Sequence, residues 1–160
     1  MHRSLRNLLL AAVALLPPCT AIAGDVYLGA KAGPMQVDIG GADDPTNIGF
    51  TLGYELGVLV ADIAIEGEYT TTLDEGTVSG SGIEVDTVGL FLALRTAGPL
   101  YFKARAGMAS VDTTVGSSES SESGVAYGVG VGFGIGLVRL EIEYTAMEGD
   151  TRFLSVGAQF

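Results

Sequence analysis

Apolar residues alternate with polar or small residues, at a period of two, along most of the chain from residue 24 onward. Successive side chains of a β-strand point to opposite faces, so this period predicts strands with one apolar face. We find no stretch with the three- and four-residue apolar spacing of an amphipathic helix. The alternating runs cover residues 26–31, 48–57, 63–70, 88–95, 100–109, 125–135, 138–145 and 153–160. The sequence therefore predicts an all-β chain of eight strands.

The connections between these runs alternate in length. Runs two and three, four and five, and six and seven are joined by short turns, whereas the other connections, at residues 38–47, 71–86, 110–123 and 148–150, are longer or more polar. Short turns at one end and polar loops at the other are typical of antiparallel up-and-down transmembrane β-barrels, with the turns in the periplasm and the loops outside. The segment Ser117–Ser123, SSESSES, predicts a mobile loop tip.

The first residues have the pattern of a cleaved signal peptide. Two arginines precede a nine-residue apolar run, Leu8–Leu16, and Ala21-Ile22-Ala23 provides a small-residue cleavage signal. The apolar run is too short for a membrane helix, which needs about 20 residues. We therefore expect a signal peptide at residues 1–23, removed on export, followed by a single domain at residues 24–160.

Charge and residue types exclude several functions. Residues 24–160 carry nineteen acidic side chains against six basic ones, which argues against a nucleic-acid partner because phosphates would repel this surface. The same residues contain no cysteine and no histidine, so thiolate metal sites and a serine–histidine nucleophile are excluded. We expect no enzyme, no catalytic residues, no cofactor and no resident metal.

The alternation leaves open whether the apolar face meets lipid or lines a soluble barrel. The sixth run favours lipid, because its other face is mostly glycine, which would leave backbone bare in water but is tolerable beside long arginines such as Arg105 or Arg139 in a crowded lumen. With the apolar face outward, aromatic residues form two bands, as at membrane interfaces. The bands are Tyr54, Phe102, Phe133 and Phe160 near the short turns, and Tyr69, Tyr127 and Tyr144 near the loops.

The face that would line the interior carries balanced charge. An unpaired buried charge costs several kcal/mol, so balance is what a filled interior requires. The five basic and five acidic side chains form a predicted charge belt: Lys31, Glu55, Glu66, Glu68, Arg95, Lys103, Arg105, Arg139, Glu141 and Glu143. Two interpretations stay open. The belt either neutralises itself and plugs the lumen, or acts as a gate in which salt-bridge partners exchange.

Several runs resemble those of a known family. IAIEGEYT from Ile63, YFKARAGMA from Tyr101 and GVAYGVGVGFGIG from Gly124 are similar to the outer-membrane β-barrel superfamily, which includes the transmembrane domain of outer membrane protein A and opacity and adhesin-like barrels. The run LSVGAQF, which ends at Phe160, resembles the assembly signal of such barrels. The resemblance implies a Gram-negative outer membrane, with its lipid, lipopolysaccharide and barrel assembly machinery as partners. The resemblance also matches Glu66 to the salt-bridge gate of barrels that resemble outer membrane protein A.

The expected function is a non-enzymatic outer-membrane protein of porin-family type, with an envelope-structural or surface-interaction role through acidic loops. A small gated channel for ions or small solutes is the first alternative. A soluble periplasmic barrel that binds an apolar ligand is the second. Loop acids such as Asp38, Asp43 and Asp44 could bind divalent cations, since hard cations take oxygen ligands, or could form a solvated surface or engage a surface partner.

Overall fold

A computed structural model describes residues 24–160 apart from residues 39, 59 and 149. The predicted signal peptide lies outside the described residues, so its removal stays a prediction. The strands are β1 (Asp25–Gln36), β2 (Thr46–Val58), β3 (Ala61–Asp74), β4 (Gly76–Val78), β5 (Ser81–Thr96), β6 (Leu100–Val115), β7 (Ser118–Ile135), β8 (Val138–Ala146) and β9 (Arg152–Gln159). None of the described segments forms a helix long and apolar enough to cross a membrane.

Each strand pairs antiparallel with its neighbours in a closed sheet. The order is β3-β2-β1-β9-β8-β7-β6-β5, and β3 also pairs with β5, which closes the ring. The short strand β4 pairs only with β5, outside that ring. The predicted fold, an eight-stranded antiparallel up-and-down barrel, is therefore confirmed. All eight predicted runs lie within the barrel strands or, for Phe160, directly beside β9.

The apolar face points outward, as the glycine-rich run predicts. In β7, Val125, Tyr127 and Val129 are exposed, whereas the intervening Ala126 and Gly128 are buried. All seven aromatic residues of the two predicted bands are also exposed. A barrel with an apolar outer wall and a polar interior has the wrong polarity for a soluble carrier of an apolar ligand. That alternative therefore does not fit the structure.

Two of the predicted loops fold as β-hairpins. β3 continues to Asp74 and β5 begins at Ser81, so that residues 71–86 are mostly strand, and β6 and β7 pair without interruption from Leu100 to Val115. The predicted loop at Ser117–Ser123 was wrong for six of its seven residues, since Ser118 to Ser123 belong to β7 and pair with β6, while the mobility of this tip stays a prediction. The serine-rich composition indicated a loop, but the backbone of this segment pairs with β6. This pairing involves a second strand, so a local sequence pattern does not show it.

The inner faces of these extended strands form a hydrophobic cluster. We call it the loop-end core, and its buried members are Met35, Ile83, Val85, Phe91, Ala109, Val111, Ala126, Met147 and Phe153. Ile83, Val85 and Val111 lie in segments that the sequence assigned to loops. Their burial shows that the apolar alternation continues past the predicted strand ends and that the hairpins have a packed interior.

Candidate functional site: the barrel interior

All ten residues of the predicted charge belt lie inside the barrel and belong to one connected set of ion pairs. Lys31 projects from β1, Glu55 from β2, and Glu66 and Glu68 from β3. The cations opposite come from β5 and β6, and the remaining members from β8. Eight of the ten are buried, and Lys31 and Arg139 are partly buried. The period of two places these side chains inward, and closure of the sheet then brings distant strands face to face.

Glu66 lies at the centre of the belt. Its carboxylate is fully buried and lies 2.5 Å from Arg95 Nη2, 3.1 Å from Lys103 Nζ and 3.4 Å from Arg105 Nη1. The hydroxyl of Tyr27 donates a further hydrogen bond of 2.5 Å to Glu66 Oε1. A buried charge is tolerated when it is paired and its lone pairs accept hydrogen bonds, and Glu66 meets both conditions.

The cations of the middle layer each contact more than one carboxylate. Lys103 Nζ lies 3.0 Å from Glu141 and 2.7 Å from Glu143, in addition to Glu66. Lys31 Nζ lies 2.8 Å from both Glu68 and Glu143. Shared partners make these interactions interdependent, so removing one member disturbs the others.

Arginine provides the most directional contacts. Arg105 donates two hydrogen bonds to Glu68, of 2.6 and 3.1 Å, in the bidentate geometry that a guanidinium favours. It also donates to the Thr145 hydroxyl at 2.8 Å. On its other side the guanidinium lies 4.0 Å from the centroid of the Phe91 ring. Arg105 thus joins the charge belt to the loop-end core.

The short-turn end of the belt is more open to solvent. Arg139 Nη1 lies 2.7 Å from Glu55, and a quarter of the Arg139 side chain is exposed. Glu55 also pairs with Arg95, which is almost completely buried. Water screens this partly exposed pair more than the buried pairs, so breaking the Arg139–Glu55 contact should cost less stability than breaking a contact at the centre.

Two inward tyrosines complete the network, and the sequence did not single them out. Tyr27 accepts a hydrogen bond of 2.9 Å from Arg95, and Tyr101 donates one of 3.1 Å to Glu141. Each ring lies over a glycine on the neighbouring strand: a Cβ on Gly53 would meet Tyr27 at 2.1 Å, and one on Gly132 would meet Tyr101 at 2.2 Å. An inward tyrosine paired across two strands with glycine is the signal that could have found them.

The glycine column of β7 therefore has two uses. Gly128 adjoins Arg105, whose Nε would lie 3.1 Å from an added Cβ, as expected for a glycine that makes room for arginine. Gly132 accommodates an aromatic ring instead, which the prediction did not include. Gly134 has no close neighbour, since the nearest atom would be 3.8 Å away. Arginine explains one position in the column, and tyrosine explains another.

The side chains of the belt leave little room in the middle of the barrel. A small cavity of about 10 Å³ lies beside Lys31, Thr51, Glu68 and Ser155, which is room for about one water molecule. Beyond it, Lys31 Nζ lies 5.0 Å from the centroid of Phe153, a fully buried member of the loop-end core. The lumen therefore contains a charged layer followed by an apolar layer.

The remaining predicted residues lie outside the lumen. Asp38, Asp43 and Asp44 are exposed, and Asp43 accepts a 3.2 Å hydrogen bond from Thr77. Within the described residues, no three histidine, cysteine, aspartate or glutamate side chains are grouped closely enough to hold a metal ion. Phe160 exchanges two backbone hydrogen bonds with Leu28, and its ring is exposed. Its role in assembly stays a prediction.

Known proteins give the barrel a family context. A family model for the outer membrane protein beta-barrel domain matches residues 7–159. Among solved structures, Ail, the attachment invasion locus protein of Yersinia pestis, in complex with the heparin analogue sucrose octasulfate, has 14% identity and a TM-score of 0.59. Neisserial surface protein A has 15% identity and a TM-score of 0.55. Both alignments cover 86% of this chain and 97% of the other. No match was found among curated proteins. At these identities the structural likeness shows the fold.

Proposed function

The chain belongs to the family of outer membrane protein beta-barrel domains, and from this membership we propose a non-enzymatic surface protein of the Gram-negative outer membrane that acts through its acidic hairpins. In this proposal the barrel holds the hairpins at the cell surface and has no conducting role. The observation that carries the proposal is the separation of charge. The five bases and five acids of the charge belt pair with one another, while twelve of the other fourteen acids of residues 24–160 lie in the loops and hairpins at the opposite end from the short turns.

The outer faces of the hairpins bring several of these acids together. Asp86 of β5 lies directly opposite Asp112 of β6 in the pairing register. Thr114 of β6 lies between Glu84 of β5 and Glu119 of β7. Like charges opposite each other on neighbouring strands are destabilising. A basic partner would relieve this repulsion, so the hairpins favour cationic surfaces or peptides.

The heparin analogue bound by Ail is a sulfated polyanion. The loops and hairpins of this chain contain a single basic residue, Arg152, among their acids. We therefore expect this chain to repel polyanions and to prefer positively charged ligands, unlike the ligand bound by Ail. A surface-interaction role can be shared by barrels of one fold while the charge of the loops sets the partner.

A binding measurement tests this proposal. The barrel would be refolded in detergent and titrated with poly-lysine and, separately, with heparin. We expect poly-lysine to bind, heparin not to bind, and binding to be lost when residues 71–86 and 110–123 are exchanged for neutral hairpins of equal length. The matched control is Glu55→Gln, which changes a lumen charge and should leave binding unchanged. Poly-lysine binding that survives the hairpin exchange would overturn the proposal.

The channel alternative is supported by one observation, the three carboxylates around Lys103. A cation with several partners close by can exchange them with small movements, as a gate requires. The loop-end core opposes conduction, however, because it places buried apolar side chains such as Phe153 and Val85 in series with the belt. Exchange of salt bridges alone would leave that apolar layer closed.

A further inference from the structure

The short turns of the barrel have an unusual surface. Turns that face water are commonly polar, yet large apolar side chains are exposed at all three short connections. Leu137 is 92% exposed at the tip of the β7–β8 turn, and Val60 is 79% exposed at the β2–β3 turn. We call the exposed apolar residues of this end the turn rim: Val58, Val60, Leu100, Ile135, Leu137 and Phe160.

Backbone hydrogen bonds hold the three turns together. The amide of Ala97 in the β5–β6 turn donates to Val60 O at 3.0 Å. The amide of Gly134 donates to Pro99 O at 2.7 Å, which joins the β5–β6 turn to the base of the β7–β8 turn. These bonds place the three turns side by side at this end of the barrel, and exposed apolar side chains grouped in this way mark a contact with lipid or with a partner.

We propose that the turn rim lies in the lipid of the periplasmic leaflet, so that the short-turn end is embedded in the membrane and not suspended in water. The rim continues directly into the apolar outer wall. In β7 the exposed residues Val131 and Phe133 of the wall lead to Ile135 of the rim without a polar residue on that face. Lipid covers the apolar outer wall of an outer-membrane barrel, and we expect lipid to cover the turn rim as well.

The height of the apolar wall supports this placement. A strand rises about 3.4 Å per residue and tilts by about 40°, so each residue adds roughly 2.6 Å along the membrane normal. From Tyr127 to Phe133, the two aromatic bands of β7 are only about 16 Å apart, whereas the apolar band of such barrels is about 25 Å tall. From Val125 to Ile135 the apolar face of β7 spans about 26 Å.

Strand β2 has an apolar outer face of the same height. The apolar face of β2 also spans about 26 Å from Ile48 to Val58. Both strands reach the required height only when a rim residue lies within the lipid. The charged residues nearest the short turns, Asp25, Asp62 and Arg139, share the inward face of their strands with buried residues, so they do not interrupt the apolar outer face at this end.

Tryptophan fluorescence can test the depth of the rim, because the chain contains no tryptophan and one introduced indole is the sole reporter. Leu137→Trp and Val60→Trp report on two separate turns. Phe102→Trp is the lipid reference in the outer wall, and Ser121→Trp is the water reference on the exposed part of β7. Each variant is refolded into phospholipid vesicles with and without brominated acyl chains, and its fold is confirmed by heat-dependent gel mobility.

We expect brominated lipid to reduce the emission of both rim reporters nearly as much as that of Phe102→Trp, with a similar blue shift, at every protein-to-lipid ratio. Emission and quenching like those of Ser121→Trp would overturn the proposal. A blue-shifted emission that lipid does not quench and that shifts back to the red on dilution with lipid would also overturn it, because the rim would then be covered by a second copy of the chain.

Discussion

Glu66→Gln removes the charge at the centre of the belt with almost no change in shape. Glu66 is fully buried and contacts the cations of Arg95, Lys103 and Arg105. A glutamine in its place could still accept hydrogen bonds from some of these groups. It would nevertheless leave three buried cations with one negative charge fewer, so the substitution tests the electrostatic contribution of the belt.

The expected magnitude follows from the contact distances. Glu66 and Lys103 are 3.1 Å apart, and at an effective dielectric constant of about 20 their attraction is about 5 kcal/mol. The lost desolvation penalty of one carboxylate offsets part of this, and removing one partner of a buried ion pair costs about 3–5 kcal/mol. We therefore expect Glu66→Gln to lower the free energy of unfolding by about 3–5 kcal/mol.

Urea unfolding in phospholipid vesicles, followed by circular dichroism and by heat-dependent gel mobility, measures this change. The matched control is Glu84→Gln, an exposed hairpin residue that should change the free energy by less than about 0.5 kcal/mol. The double variant Glu66→Gln/Lys103→Met should lose about 2 kcal/mol less than the sum of its single variants. If Glu66→Gln changed the free energy of unfolding as little as Glu84→Gln does, or if the effects of the two single variants were strictly additive, the charge belt would not stabilise the barrel as described.

Three other substitutions test the packing of the interior. Phe153→Ala should lower the free energy of unfolding by about 3–5 kcal/mol and speed proteolysis of the hairpins, because it opens the loop-end core. Gly132→Ala should cost about 1–3 kcal/mol in urea unfolding by displacing the Tyr101 ring, whereas Gly134→Ala should be neutral; equal effects would contradict this. Ser79→Asn should stabilise the β4–β5 hairpin by about 0.5 kcal/mol in thermal unfolding, since Ser79 has φ 51° and an Asn-Gly turn suits that backbone better.

The sequence was sufficient for the strands and for their faces because both depend on a local period. In a strand, residues i and i+2 share a face, so once the glycine column of β7 was assigned to the interior, the inward position of Glu66 and Lys103 followed. The balance of charge on that face then predicted pairing. Which carboxylate contacts which cation could not be predicted, because it depends on strand tilt and on the closure of β3 against β5.

The hairpins show where local pattern failed. Ile83 and Val85 alternate with polar neighbours, but the many acids and serines around them indicated a loop. Both belong to the loop-end core, whose other members include Phe153 and Met35, which are distant in sequence. The roles of Tyr27 and Tyr101 were missed for a similar reason, since a tyrosine that covers a glycine is recognised only when the pairing register of two strands is known.

Single-channel recording tests the filled lumen most directly. Residues 24–160 would be refolded in detergent, confirmed as a folded barrel by heat-dependent gel mobility, and inserted into a planar bilayer beside the variant Glu141→Gln. We expect both barrels to be electrically silent, because the loop-end core closes the lumen whether or not the belt is intact. Discrete current steps from the folded barrel would contradict it, and steps that Glu141→Gln alters would identify the charge belt as a gate.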